Sequence, residues 1–276
     1  MLNEQKQFYA ICLLMSTGKK MTCEALARKA LRSGDSMLKH LDNPPATTEE
    51  LICFVKLLFK LKKLYLIIDD TLLGKQYSQL IEGSSDNYDS SSRTHYRSIC
   101  TIVAMLTDGK NALPIDHRIW TSPEFKGSKE PKKTDIAREL IEAIGQYISI
   151  EIVILDGLYA TIDLQEWLIK SNIKYEMRFH ANRVNDNKVK IKDLATIKKK
   201  KRRRTIKTVW HGLDIYVTAV KRCYKNGKYT TVYQVSNYKA ASYFHEQIYS
   251  YRWNIEKFFR TAKQHLGLGN CQCRKI

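Results

Sequence analysis

SYFHEQIYSYRWNIEKFFRTAKQHLG, residues 242–267, contains no Pro and no Gly before its last residue. With Gly267 as a natural helix stop, it predicts one long helix. At about 100° per residue with Tyr249 as zero, Arg252 falls near 300°, Glu256 near 340° and Lys263 near 320°. These four share one narrow face. Phe244, Ile248, Ile255, Phe259, Ala262 and Leu266 form an apolar stripe beside it, at about 220–280°. The helix therefore packs on a core and carries a carboxylate between two cations and a phenol at the core's edge. An ordinary amphipathic helix with a solvated, salt-bridged face has the same pattern. The acid's position next to the buried stripe, and two acid-bearing strands upstream, argue for more.

The first of those strands lies in KKLYLIIDDTLLGK. Leu64 to Ile68 is an unbroken apolar run, as expected of a strand buried on both faces. It ends on Asp69-Asp70-Thr71. A carboxylate at the end of a buried strand is costly unless it is paired or binds a cation. The second strand is EIVILDGLY, ending on Asp156, where Gly157 permits close backbone approach. Acids from two strands and one helix supply hard oxygen ligands, which suit Mg²⁺ or Mn²⁺. Two such ions activate a water or hydroxyl and stabilise the leaving oxygen in phosphodiester chemistry. The chain contains no nucleophile elbow, Walker loop or dinucleotide fingerprint.

Between these pieces the expected order is mixed. Residues 1–60 read as helical, with breaks at Gly18, Gly34 and Pro44-Pro45. TCEALARKAL and SMLKHLD, joined by a turn at Ser33-Gly34-Asp35, have the outline of a helix-turn-helix. Residues 82–97 are polar and read as a loop. RSICTIVAMLTDGKNALPIDHRIW reads as a hairpin turning at Asp108-Gly109. A loop with Pro123, Gly127 and Pro131 precedes the helix DIARELIEAIGQYI, for which Thr134 or Asp135 is the expected cap. LQEWLIKSN reads as a helix and IKYEMRFH as a strand. Residues 183–236 read as a β block with turns near Gly212 and Asn226-Gly227.

The 276 residues carry 47 Lys and Arg against 28 Asp and Glu, a net charge of +19. A field of that sign favours a polyanion, with nucleic acid ahead of an anionic membrane surface. Its densest point is Lys198, Lys199, Lys200, Lys201, Arg202, Arg203 and Arg204, expected to be a solvated arm that contacts phosphate. Seven scattered Cys, including a lone pair at Cys271 and Cys273, indicate reduced thiols in a cytoplasmic protein. No apolar run approaches the length of a membrane span.

With every spacing kept, Tyr249, Arg252, Glu256 and Lys263 match the Tyr-x2-Arg-x3-Glu-x6-Lys signature of a known family. Over roughly residues 60–270 the sequence resembles DDE transposases of bacterial insertion sequences, of the insertion-sequence-4 type. The resemblance implies an α/β fold: an RNase H-like catalytic core (61–276) with a β-strand insertion, preceded by a small helical DNA-binding region (1–60). It implies cut-and-paste transposition, with metal-dependent cleavage at transposon ends and strand transfer into target DNA. Asp70, Asp156 and Glu256 would bind two Mg²⁺ ions, or Mn²⁺ in their place; the family's Thr after the first acid favours Asp70 over Asp69. Tyr249, Arg252 and Lys263 would hold phosphates of the transposon end. Trp210 is the candidate for stacking a flipped base in a hairpin intermediate; a buried structural Trp is the alternative. Double-stranded DNA, both terminal repeats and target, is the implied partner, with a homodimer in the synaptic complex and a bacterial, nucleoid-associated location. Relatives commonly continue beyond the C-terminal helix into a region used for assembly. A stand-alone RNase H-like nuclease, and an inactive transposase-derived DNA-binding protein, are the rival readings.

Overall fold

A computed structural model describes residues 24, 27, 28, 33–35, 47–58, 63–77, 80–121, 131–198, 201–223 and 227–269. The expected helix-turn-helix and the Cys271–Cys273 pair lie outside the described residues, apart from scattered positions in the former. Helix α1 (Thr48–Leu58) begins with a reciprocal cap: the Glu50 carboxylate accepts the Thr47 N–H, and the Thr47 hydroxyl accepts the Glu50 N–H. Its Ile52 and Val55 are buried in the same core as the central sheet.

Among the described residues, nine strands form one sheet: β1 (Tyr65–Gly74), β2 (Ser85–Asp89), β3 (Thr94–Thr107), β4 (Ala112–Trp120), β5 (Ile152–Leu155), β6 (Tyr175–Phe179), β7 (Arg203–Trp210), β8 (Leu213–Cys223) and β9 (Tyr229–Ser236). The order is β2-β3-β1-β5-β6-β9-β8-β7, with β4 on the same edge of β3 as β2. β1, β5 and β6 run parallel; β3 is antiparallel to β1, and β9 to β6. The parallel pairs are joined by crossover helices, α2 (Lys133–Gly145) and α3 (Ile162–Lys170). The Asp135 carboxylate accepts the Lys132 N–H at 2.9 Å and Lys132 is the cap, so α2 starts two or three residues earlier than Thr134 or Asp135 as cap would place it. Thr161 caps α3 by accepting the Leu164 N–H. A single turn, α4 (Ile191–Leu194), precedes β7.

Three expectations change. Residues 82–97 are not all loop, because Ser85–Asp89 pairs with β3. Its inward positions are Ser85 and Asn87, and the Asn87 amide donates to Ser85 and Ser98 oxygens at 3.0–3.1 Å. Hydrogen bonding replaces the apolar alternation that would have announced a strand. The β block is not set apart either: β9 bonds β6, so β7–β9 extend the one sheet. The long helix is two helices, α5 (Ser242–Ser250) and α6 (Trp253–His265). Between them the bonds tighten to i→i−3, Tyr251 to Ile248 and Arg252 to Tyr249, a 3₁₀-like step with helical dihedrals throughout.

Each face of the sheet is covered, so the central strands are apolar on both sides. Leu66, Ile68, Ile102, Val153 and Leu155 meet Leu140 and Ile141 of α2 and Leu164 of α3. Tyr65, Ile67, Met105, Ile152 and Ile154 meet Ile248 and Tyr249 of α5 and Ile255 and Phe259 of α6. Each fully buried Leu or Ile contributes about 1.5–3 kcal/mol by leaving water. The same alternation decides which way each acid on β1 faces.

Candidate functional site

β1 and β5 are paired only as far as Ile68 and Leu155. β1 does not end there; it continues to Gly74 against β3, so Asp69 and Asp70 sit within a strand rather than at its end. The parallel sheet opens at the next step, where Asp69 and Asp156 follow the last pair. Crevices at the carboxyl ends of parallel strands are where ligands bind.

Successive residues of β1 face opposite sides. Asp69 follows Tyr65 and Ile67 toward α5 and α6. Its carboxylate accepts from Arg252 Nη1 at 2.7 Å. The same guanidinium bonds Glu256 through Nη2. Tyr249 hydroxyl reaches Asp156 Oδ1 at 3.3 Å, and the Arg252 guanidinium lies 5.8 Å from the Tyr249 ring centre. Carboxylates from β1 and the start of α6 thus bracket one guanidinium, and a third, after the end of β5, is held beside it by the Tyr249 hydroxyl. Burial, with the Asp70 and Asp156 charges adding to it and Arg252 opposing, pushes the Asp69 pKa up to about 7. Burial works against the Arg252 charge, but the Tyr249 phenol and the Asp69, Asp156 and Glu256 carboxylates outweigh it and hold its pKa above the usual value.

Asp70, preferred from the sequence, points the other way. Its carboxylate accepts from Lys133 Nζ at 2.7 Å and from the Tyr159 hydroxyl at 3.3 Å, with Cys100 Sγ at 3.6 Å. Burial and the Asp70 charge lift the Cys100 thiol pKa to about 12, so it stays protonated. Lys133 also lies over the Trp120 ring at 4.9 Å. A cleft of about 770 Å³ opens beside this group, with Asp70, Trp120, Lys133 and Tyr88 among its walls. The partners of Asp70 are distant in sequence, and no motif marked them.

The other candidates are dispersed. Lys263 is exposed and two turns beyond Glu256; burial lowers its pKa and the nearby Asp89 charge raises it. The Lys198–Arg204 run is not a free arm over its described part: Arg203 and Arg204 belong to β7, held by pairing to β8. Arg203 bonds Glu246 of α5, Arg202 reaches the same carboxylate at 3.5 Å, and Arg204 donates to the Thr196 carbonyl. Lys201 closes a turn onto Lys198, while Lys199 and Lys200 lie outside the described residues. Trp210 is 5 % exposed, edge-on to Phe179 at 5.2 Å and covered by Arg183 at 5.0 Å. Trp253, in contrast, is 52 % exposed and borders a groove of about 470 Å³ with Arg202, Arg222, Glu246, Tyr249 and Arg252.

The carboxylates on this side of the sheet are Asp69, Asp156 and Glu256. Among the described residues no three His, Cys, Asp or Glu side chains converge closely enough to hold one as they stand. Nor, among the described residues, is any helix long and apolar enough to cross a membrane.

Comparisons with known proteins agree with this architecture. No curated protein sequence matches. Among solved structures, the fold is similar to a piggyBac transposase in a synaptic complex with hairpin DNA, at a TM-score of 0.51 and 12% identity. The likeness covers 94% of this chain and 59% of that one, so the chain spans little more than half of that protein's length. The profile described as the transposase DDE domain matches residues 60–276, which takes in every strand and the α5–α6 pair. The chain belongs to the transposase DDE domain family.

Proposed function

We propose that this chain is a DNA transposase of the insertion-sequence-4 type that cleaves DNA at transposon ends and joins the freed end to target DNA. The carrying observation is that Arg252 links Asp69 to Glu256, with Asp156 held by Tyr249 of the same helix pair, where the parallel sheet opens. The sheet order β4-β3-β1-β5-β6, with β3 antiparallel to parallel β1, β5 and β6, supports an RNase H-like core. The Tyr-x2-Arg-x3-Glu part of the signature supplies three members of the site, and Lys263 lies farther along the same helix.

Transposases of this family generally use divalent metal ions. The all-oxygen donor set is the kind Mg²⁺ and Mn²⁺ prefer. Asp69, not Asp70, is the first ligand on this reading, because it alone shares a face with Arg252 and Glu256. When bound, a pair of ions would activate the attacking water or 3′-hydroxyl and stabilise the leaving oxygen. The chain's own groups do the positioning. Tyr249 holds Asp156 in place. Arg202, Arg222 and Arg252 offer a positive groove for the phosphate backbone, and Trp253 is the exposed aromatic on which an unpaired base would stack, a role the covered rings of Trp210 do not suit. Two protomers would hold the two ends.

The bridging Arg252 also favours a second reading, an end-binding protein that does not cut. Incubating the protein with DNA carrying its own element's ends, in Mg²⁺ and then in EDTA, separates the two. Metal-dependent 3′ nicking followed by joining is the expected result. Salt-dependent binding without any nick would leave only the second reading.

A further inference from the structure

We propose that Arg252 is a two-position guanidinium: it stands in for the cation among the carboxylates of the free protein and moves onto DNA phosphate when metal binds. This rests on the transposase reading above and adds a coupling to it.

The geometry carries the idea. Arg252 spans two of the three acids, 2.7 Å from Asp69 and bonded to Glu256, and its side chain is 16 % exposed. A divalent ion entering with the guanidinium in place would meet a like charge already bonded to two of its donors. Withdrawing Arg252 with nothing in exchange would strand partly buried carboxylates without a partner, which is strongly unfavourable. The two cations therefore replace one another.

A destination for the withdrawn group is already adjacent. Arg252 also lines the groove it shares with Arg202, Arg222 and Trp253. A phosphate there offers the planar, bidentate partner that a guanidinium matches, and Lys would not reproduce it. Metal thus frees Arg252 for DNA, and DNA draws Arg252 off the acids for metal. Linkage requires the two effects to be equal.

The test is Mn²⁺ titration of the full chain, followed by electron paramagnetic resonance, with and without a short mixed-sequence DNA duplex. Wild type should bind Mn²⁺ weakly alone and at least about tenfold more tightly with DNA. Arg252→Gln should bind Mn²⁺ at least about tenfold more tightly than wild type without DNA, and DNA should add nothing. Equal affinities in the two proteins, with the same DNA effect, would overturn the proposal while leaving the metal site intact. Failure of both to bind Mn²⁺ would remove the metal assignment, and the proposal with it. Thermal melting checks that the variant is folded. If it is not, Arg252→Lys takes its place: charge retained without the fork should give intermediate Mn²⁺ affinity, and wild-type affinity would overturn the proposal.

Discussion

Asp69 and Asp70 are neighbours in the chain, yet their carboxylates lie on opposite faces of the sheet. One bonds Arg252, the other Lys133. Their substitutions should separate accordingly. Asp69→Ala, like Asp156→Ala, should reduce end cleavage to background while DNA affinity stays close to wild type. Asp70→Ala should keep cleavage but lose about 1–3 kcal/mol of stability, because Lys133 is left half-buried without its partner. A cleavage gel and a denaturant melt read both; cleavage retained in Asp69→Ala and lost in Asp70→Ala would return the first ligand to Asp70. A second residue-scale effect lies under α5. There Glu176 is fully buried and bonded by Tyr238 at 2.7 Å and by the His245 ring at 3.0 Å. Burial raises its pKa above the ordinary 4.5, and those bonds only partly offset the rise. An acid that holds its proton more tightly when folded contributes most at low pH, and that contribution fades as pH climbs from the unfolded pKa through the raised one. Unfolding free energy should fall across that window in wild type and flatten in Glu176→Gln; overlapping curves would show that the group does not titrate with folding.

At the scale of elements, the junction of α5 and α6 depends on a hairpin far away in sequence. Gly109, in the β3–β4 turn, has φ +91°, and a Cβ there would lie 2.8 Å from the Tyr251 ring. Tyr251 also packs against Tyr65, with ring centres 5.3 Å apart and planes tilted by 44°. The turn therefore seats Tyr251 at the tightened step that aims Arg252 inward. Gly109→Ala should cost about 1–3 kcal/mol from the left-handed backbone alone, with the clash added. Tyr251→Ala should relieve only the clash, so the double substitution should cost less than the sum of the two. Additive thermal shifts would mean that the turn and the helix junction are independent.

For the whole molecule, the excess of 19 positive charges includes three arginines that line one groove, Arg202, Arg222 and Arg252. Replacing Arg202 and Arg222 by Gln should weaken DNA binding and flatten its dependence on salt, by about 0.9 in logarithmic slope for each duplex phosphate that is no longer neutralised. An unchanged slope in a salt titration would place the DNA elsewhere, with the cleft beside Lys133 as the next surface to test.

Much of this was legible in the chain itself. Leu64 to Ile68 and Ile152 to Leu155 read as buried strands because short runs rich in branched residues suit a strand covered on both faces, and the turn at Asp108-Gly109 marked its hairpin. Helical spacing put Tyr249, Arg252 and Glu256 on one face, since those positions repeat with the backbone's own period. What the sequence left open depended on pairings between distant segments. The polar strand Ser85–Asp89 is held by side-chain hydrogen bonds to β3, which leave no apolar rhythm to read. The β7–β9 block joins the main sheet through β6, a pairing between strands about 50 residues apart. Which of Asp69 and Asp70 faces Arg252 turns on one residue of strand parity, and only the helices packed on each face give that parity a meaning.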